Sequence, residues 1–181
     1  MDKKFRLLKK QELVIDLCGA PGGWSQYLAK KLPKSSHIIL ADLAKVNLPD
    51  IFNLDCLQCD ITTNEAIQQI KSIMNSFSPP KEKVDLVVSD CSPKMGGNYA
   101  TDHARQIYLV MHAFRIAVTL KADVLVAKVF DGKDFPDLKE LLKEGYENFK
   151  IYKPPASRSE SSELYIITRG IIKDYVPPED F

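Results

Sequence analysis

The chain has 181 residues, 45% of them hydrophobic and 27% charged, with a formal net charge of +1. That length and balance suit one globular domain with a sizeable core, residues 1–181, and exclude nucleic-acid binding through global basicity; any such contact needs a local patch. No apolar run reaches the ~18 residues of a membrane span, and the basic segment 1–12, MDKKFRLLKKQE, lacks the apolar core of a secretory signal, so an intracellular, cytoplasmic protein with no membrane partner is expected.

Short apolar runs alternate with longer helical patterns. LVIDLC (13–18), HIILAD (37–42), LDCLQCD (54–60), VDLVVSD (84–90) and DVLVAKVF (123–130) read as buried strands, rich in Val, Ile and Leu and too short for typical helices. Ile67, Ile70, Met74 and Phe77 mark one helix face, closed by Pro79-Pro80. Ile107, Met111, Phe114 and Val118 mark another. A further helix is predicted over 134–145 with Pro136 in its first turn, then strands FKIYK (149–153) and ELYIITR (163–169). The tail from 171 to 181 reads as irregular. Strand–helix alternation predicts an α/β domain whose mostly parallel sheet is covered by helices on both faces.

Four cysteines occur, at 18, 56, 59 and 91. Without a secretory signal they are expected as free thiols. Cys56 and Cys59 have metal-ligand spacing, but residues three apart on a strand point to opposite faces, so no metal site is expected.

In open α/β sheets, ligands sit beyond the carboxyl ends of the strands. That edge carries the loop DLCGAPGGWSQ (16–26), Asp42, Asp60, Asp90 and Lys128. Acids ending several strands are costly to keep near a core for packing alone. The glycines, Gly19, Gly22 and Gly23, let the backbone approach a ligand and open a helix. Pro21 stands where a dinucleotide fingerprint needs glycine, and no phosphate-cradling G-x-x-x-x-G-K-[ST] occurs. Asp42 suits ribose hydroxyls, Asp60 suits an adenine amino group, and Asp16 would attract a cation. Together they point to S-adenosylmethionine. Trp24 is expected to pack the loop against the sheet, with direct cofactor contact as the alternative.

The stretches VIDLCGAPGGWSQYL, DLVVSDCSPKMGG, DHARQIYLVMHAFRIA, VLVAKVFDG and KPPASRSESSELYIITRG resemble the FtsJ/RrmJ family of ribose 2′-O-methyltransferases, from about residue 5 to 170. The resemblance implies a Rossmann-like methyltransferase domain with a seven-stranded sheet and an antiparallel final strand. It implies S-adenosylmethionine as donor and RNA as acceptor: large-subunit ribosomal RNA first, transfer RNA second, free or within a ribosomal particle. A monomer is expected, with nucleolus or mitochondrion as alternative locations in a eukaryotic cell. Family catalysis uses a lysine–aspartate–lysine–glutamate set. Asp90 matches the aspartate, also near the cofactor, Lys128 the second lysine and Glu163 the glutamate.

The family's first lysine lies in a segment resembling S-R-A-x-[FY]-K-L, roughly 18 residues before the first strand's DL, and this chain begins after it. Lys94, Lys3, Lys4 or Arg158 are the candidates to replace its charge, Lys94 foremost because it follows Asp90 by four residues. Arg158 matches the family's SR loop and is an expected RNA contact, as are Lys3, Lys4, Arg6, Lys9, Lys10, Lys133 and Lys153. Two other readings stay open: a non-catalytic or impaired RNA- or cofactor-binding protein, and a small-molecule methyltransferase. Asp90, Lys128 and Glu163 together argue against the second.

Overall fold

The computed structural model describes residues 1–94, 96–155 and 161–177. Arg158 lies outside the described residues. The elements in order are α1 (Asp2–Phe5), β1 (Leu13–Leu17), α2 (Gly23–Lys31), β2 (His37–Asp42), β3 (Leu54–Gln58), α3 (Asn64–Ser76), β4 (Leu86–Ser89), α4 (Tyr99–Thr119), β5 (Val124–Phe130), α5 (Phe135–Gly145), β6 (Tyr146–Tyr152) and β7 (Glu163–Ile171). They build one seven-stranded sheet in the order β3-β2-β1-β4-β5-β7-β6. Strands β1 to β5 are parallel, and β7 runs antiparallel between β5 and β6. The strand order reverses between β1 and β4, the place where such sheets open a crevice for ligands.

Side chains alternate across the pleat, and the two faces are covered unequally. Val14, Ile38, Val88, Val126 and Ile167 pack on one face with Leu7, Leu28 and Leu32 of the N-terminal segment and α2. Ile15, Leu17, Ile39, Val87, Leu125 and Val129 pack on the other under α3, α4 and α5. α3 buries Ile67, Ile70 and Met74, the predicted stripe. α4 is capped by Asn98, whose side chain accepts from the Thr101 N–H. The thinner face leaves an apolar cavity of about 380 Å³ beside Trp24, Leu28, Val88 and Val126. Among the described residues, no helix is long and apolar enough to cross a membrane.

Boundaries moved where a side chain ties the chain down. β6 begins at Tyr146, three residues before the prediction, because Tyr146 is buried and its hydroxyl donates to the Ala122 carbonyl at 2.9 Å. β3 stops at Gln58 because the Asp60 carboxylate accepts from the Thr62 N–H and turns the chain. β4 starts at Leu86, and the carboxylate before it, Asp85, accepts from the N–H groups of Glu12 and Leu13. β7 runs on to Ile171, where an irregular tail was expected to begin.

One expectation is overturned. Cys18 and Cys91 are not free thiols but form a disulfide, with Cα atoms 5.0 Å apart. They lie 73 residues apart in the chain, yet each follows one of two neighbouring strands whose ends pair Leu17 with Ser89. Cys56 and Cys59 remain free, one exposed and one buried.

Candidate active site

The loop after β1 folds into α2 through two residues in the left-handed region, Cys18 (φ 56°) and Gly22 (φ 110°). Close packing also demands Gly19. A Cβ there would stand 2.6 Å from Leu40 Cγ and 2.9 Å from Asp16 Oδ2. Gly23 opens the helix with free space before it, and Pro21 is exposed. Trp24 stacks on Tyr165 with ring centroids 5.9 Å apart, so it packs the helix start against β7 as expected.

Three carboxylates surround this loop. Asp16 is fully buried. Its Oδ2 accepts from Ser25 Oγ at 2.7 Å, while Oδ1 is buried without a hydrogen-bond partner. Burial pushes its carboxyl up to about 6, with the charges of Asp90 and Asp42 adding to the effect. Asp42 accepts from the Ala20 N–H at 2.9 Å and the Ala44 N–H at 2.7 Å, which ties the glycine loop to β2. Asp60 accepts from Thr62 N and Oγ1, both at Oδ1, and these bonds hold its carboxyl below the usual range. A buried acid with an unused oxygen, beside a loop where Gly19 and Gly22 leave no room for side chains and Gly23 faces open space, fits a cationic, hydroxyl-rich ligand such as S-adenosylmethionine.

The remaining groups converge from β4, β5 and β7. Lys128 Nζ lies 3.1 Å from Asp90 Oδ1, and the Tyr165 hydroxyl donates to the same oxygen at 3.0 Å. Tyr165 is directly opposite Lys128 in the β5–β7 ladder. Burial and the neighbouring Asp90 charge push the Tyr165 phenol far up, so it stays a donor at any ordinary pH. Glu163 pairs with Phe130 one step further along the same face. Lys94 is exposed, and the cation paired with Asp90 is Lys128.

Two buried residues of α4 hold this arrangement. Gln106 Nε2 donates to the carbonyls of Cys91 (3.0 Å) and Lys128 (2.8 Å), bridging the chain beside Asp90 to the strand of Lys128. Asp102 accepts from the N–H groups of Gly96 and Gly97, at 2.8 to 3.2 Å. Asp102→Ala would leave two backbone donors unpaired and free the loop after Asp90. Thermal denaturation should show a loss of about 2–4 kcal/mol, roughly 4–16 °C for a chain of this size.

The FtsJ-like methyltransferase family matches residues 1–171. The chain belongs to that family. It is 32% identical over 173 residues to ribosomal RNA large subunit methyltransferase E of Halorubrum lacusprofundi, covering 94% of this chain and 62% of that protein. It is 33% identical over 175 residues to the rat pre-rRNA 2′-O-ribose RNA methyltransferase FTSJ3, covering 95% of this chain and 20% of that protein. The chain therefore spans less than two thirds of either relative. A Plasmodium falciparum chain described as a ribosomal RNA methyltransferase has the same fold, with a TM-score of 0.79 at 22% identity, covering 94% of this chain and 92% of that one.

Within this FtsJ-like domain, the strand pattern put Asp16, Asp42, Asp60, Asp90 and Lys128 at one sheet edge and the family resemblance added Glu163; the strand ends that carry them lie along that edge. Sequence reasoning missed Tyr165, Gln106 and Asp102. Tyr165 had a signal in the sequence, since it stands two residues from Glu163 and so on the same strand face. Gln106 and Asp102 had none beyond lying in a quoted motif, because their partners are backbone groups 5 to 22 residues away.

Proposed function

We propose that this chain transfers a methyl group from S-adenosylmethionine to a ribose 2′-hydroxyl of RNA, with large-subunit ribosomal RNA as the substrate. The observation that carries the reading is the Lys128–Asp90 pair, joined by Tyr165, across the sheet edge from a glycine loop and three carboxylates. S-adenosylmethionine, when bound, supplies the methyl electrophile. Asp16 Oδ1 and the glycine loop would hold the charged end of the cofactor, Asp42 its ribose and Asp60 its adenine. Asp90, fixed by Tyr165, orients Lys128 toward the acceptor hydroxyl. Forming the O–C bond would break the methyl–sulfur bond and release S-adenosylhomocysteine as a neutral thioether, and the hydroxyl proton would pass to the Lys128–Asp90 pair. Glu163 adds negative charge beside the lysine. Holding the hydroxyl in line with the methyl group can itself supply several kcal/mol of rate acceleration. On this reading the chain acts as a monomer, in the cytoplasm or nucleolus where large ribosomal subunits are assembled.

The matching relatives are named as methyltransferases, which gives no support to a binding protein that has lost turnover. Incubation with methyl-labelled cofactor and total RNA, followed by alkaline hydrolysis, tests the proposal. Label should appear in alkali-resistant dinucleotides from large-subunit RNA, because a methylated 2′-oxygen cannot attack the adjacent phosphate. Label recovered only in mononucleotides would refute ribose methylation, and unlabelled RNA would favour the binding protein.

A further inference from the structure

The sheet face that carries Lys128 and Tyr165 continues away from the reacting groups along β6 and β7. Their pairing puts Asn148 opposite Arg169 and Tyr152 opposite Tyr165, with Lys150 between on the same face. The N-terminal segment folds over part of this surface. Arg169 Nη2 donates to the Phe5 carbonyl at 2.8 Å, and Phe5 packs edge-on against Tyr152. Lys4 Nζ sits 5.0 Å from the centre of the Tyr152 ring. A groove of about 300 Å³ remains, and Lys4, Arg6, Asn148, Lys150 and Arg169 line it.

Four of those side chains are cations and none is acidic. Glu147, the acid next along β6, is placed on the opposite face, beside Gly170. Four like charges gathered on a chain of net charge +1 repel one another, a cost that the single Arg169–Phe5 hydrogen bond and the Lys4–ring contact offset only in part. A polyanion would relieve that repulsion. Arg169 has one guanidinium nitrogen engaged by Phe5, which fixes the plane and leaves other N–H groups free for paired bonds to phosphate oxygens. Lys4, Arg6 and Lys150 are exposed and add three further positive charges.

We propose that this groove binds the phosphodiester backbone of the substrate RNA, at a nucleotide other than the one whose ribose reacts. The inference rests on the RNA methyltransferase reading and extends it. Tyr165 and Arg169 are four positions apart on β7, about 13 Å along an extended strand. A phosphate in the groove therefore belongs to a different nucleotide from the hydroxyl at Lys128. Ile167, between them on this face, is buried beneath the N-terminal segment, so the RNA strand that joins the two positions runs over that segment rather than against the sheet.

The test compares wild type with a Lys4→Ala/Arg6→Ala/Lys150→Ala variant. A Lys34→Ala/Lys83→Ala/Lys173→Ala variant, which removes the same charge elsewhere, is the control. Arg169 is kept because it anchors Phe5. Binding of a fluorescein-labelled single-stranded RNA of mixed sequence is followed by anisotropy across a salt series. The groove variant should bind roughly 10- to 100-fold more weakly than the control at physiological salt, and its slope of log K against log salt should be shallower by about 2. Its KM for ribosomal RNA should rise, while its affinity for S-adenosylhomocysteine should match the control. A groove variant whose salt slope and KM equal the control's would overturn the groove alone, provided wild type methylates RNA. A wild type that neither binds nor methylates RNA would overturn the function reading with it.

Discussion

Lys128→Met is expected to lower methyl transfer at saturating RNA and cofactor by about 10²- to 10⁴-fold, the range of a positioned proton-transfer group. The side chain is 9% exposed, and its ion pair among the described residues is with Asp90, at 3.1 Å from Oδ1. Methionine fills a similar volume without nitrogen, so the change removes the amine and little packing. Asp90 keeps the Tyr165 hydroxyl and is itself 35% exposed, so water can solvate the charge left behind. The melting temperature should therefore move by only a few degrees. Calorimetric titration with S-adenosylhomocysteine should give a Kd within threefold of wild type, since the acids that hold the cofactor belong to other strands. Retention of wild-type kcat by the methionine variant would remove Lys128 from the chemistry.

The second large effect runs in two directions at once. Asp16→Asn should weaken cofactor binding and strengthen the cofactor-free fold. The Asp16 carboxyl is raised to about 6 from 3.8, chiefly by burial. A folded-state value above the unfolded one means that the native protein holds the proton more tightly. This contribution to stability is fully present below about pH 4, is lost as pH rises toward 6, and stays absent above. Two units correspond to about 3 kcal/mol at pH 8. Asparagine is neutral at every pH and still offers an oxygen to Ser25. The variant should melt roughly 5–10 °C above wild type at pH 8 and close to it at pH 4, by differential scanning fluorimetry. Loss of a charge-assisted contact should raise the Kd for S-adenosylmethionine roughly 10- to 100-fold. Wild-type affinity should also fall about tenfold per unit below pH 6, and the variant's should not. Equal melting temperatures at pH 8 would show that Asp16 is not strained by its burial.

Strands β1, β2, β4 and β5 were legible because each is an apolar run buried on both faces, and such runs need no partner to be noticed; β3, at the sheet edge and partly exposed, was legible from its alternation instead. The acids were legible because a charged residue closing an apolar run is locally conspicuous, as in LVIDL and LVVSD. What could not be read is what the strand order creates. Cys18 and Cys91 meet only because β1 and β4 are neighbours, and nothing within 73 residues of either announces the other. Tyr165 comes to Asp90 because β7 enters between β5 and β6. Gln106 reads as an ordinary polar position of an amphipathic helix until both of its acceptors are in place. Expectations at Arg158 fall outside the described residues.

The position of β6 has a further consequence. It is one of the sheet's two outer strands, paired on one side only among the described residues, and a free strand edge is a template for another copy of the chain. Its exposed residues Glu147, Asn148 and Lys150 are of the kind that discourages such pairing. Exposed Ile151 sits among them and would be sticky on an uncharged edge. Lys150 thus has a use in every molecule of the protein, whether or not RNA is present, because it helps to keep neighbouring copies from joining their sheets.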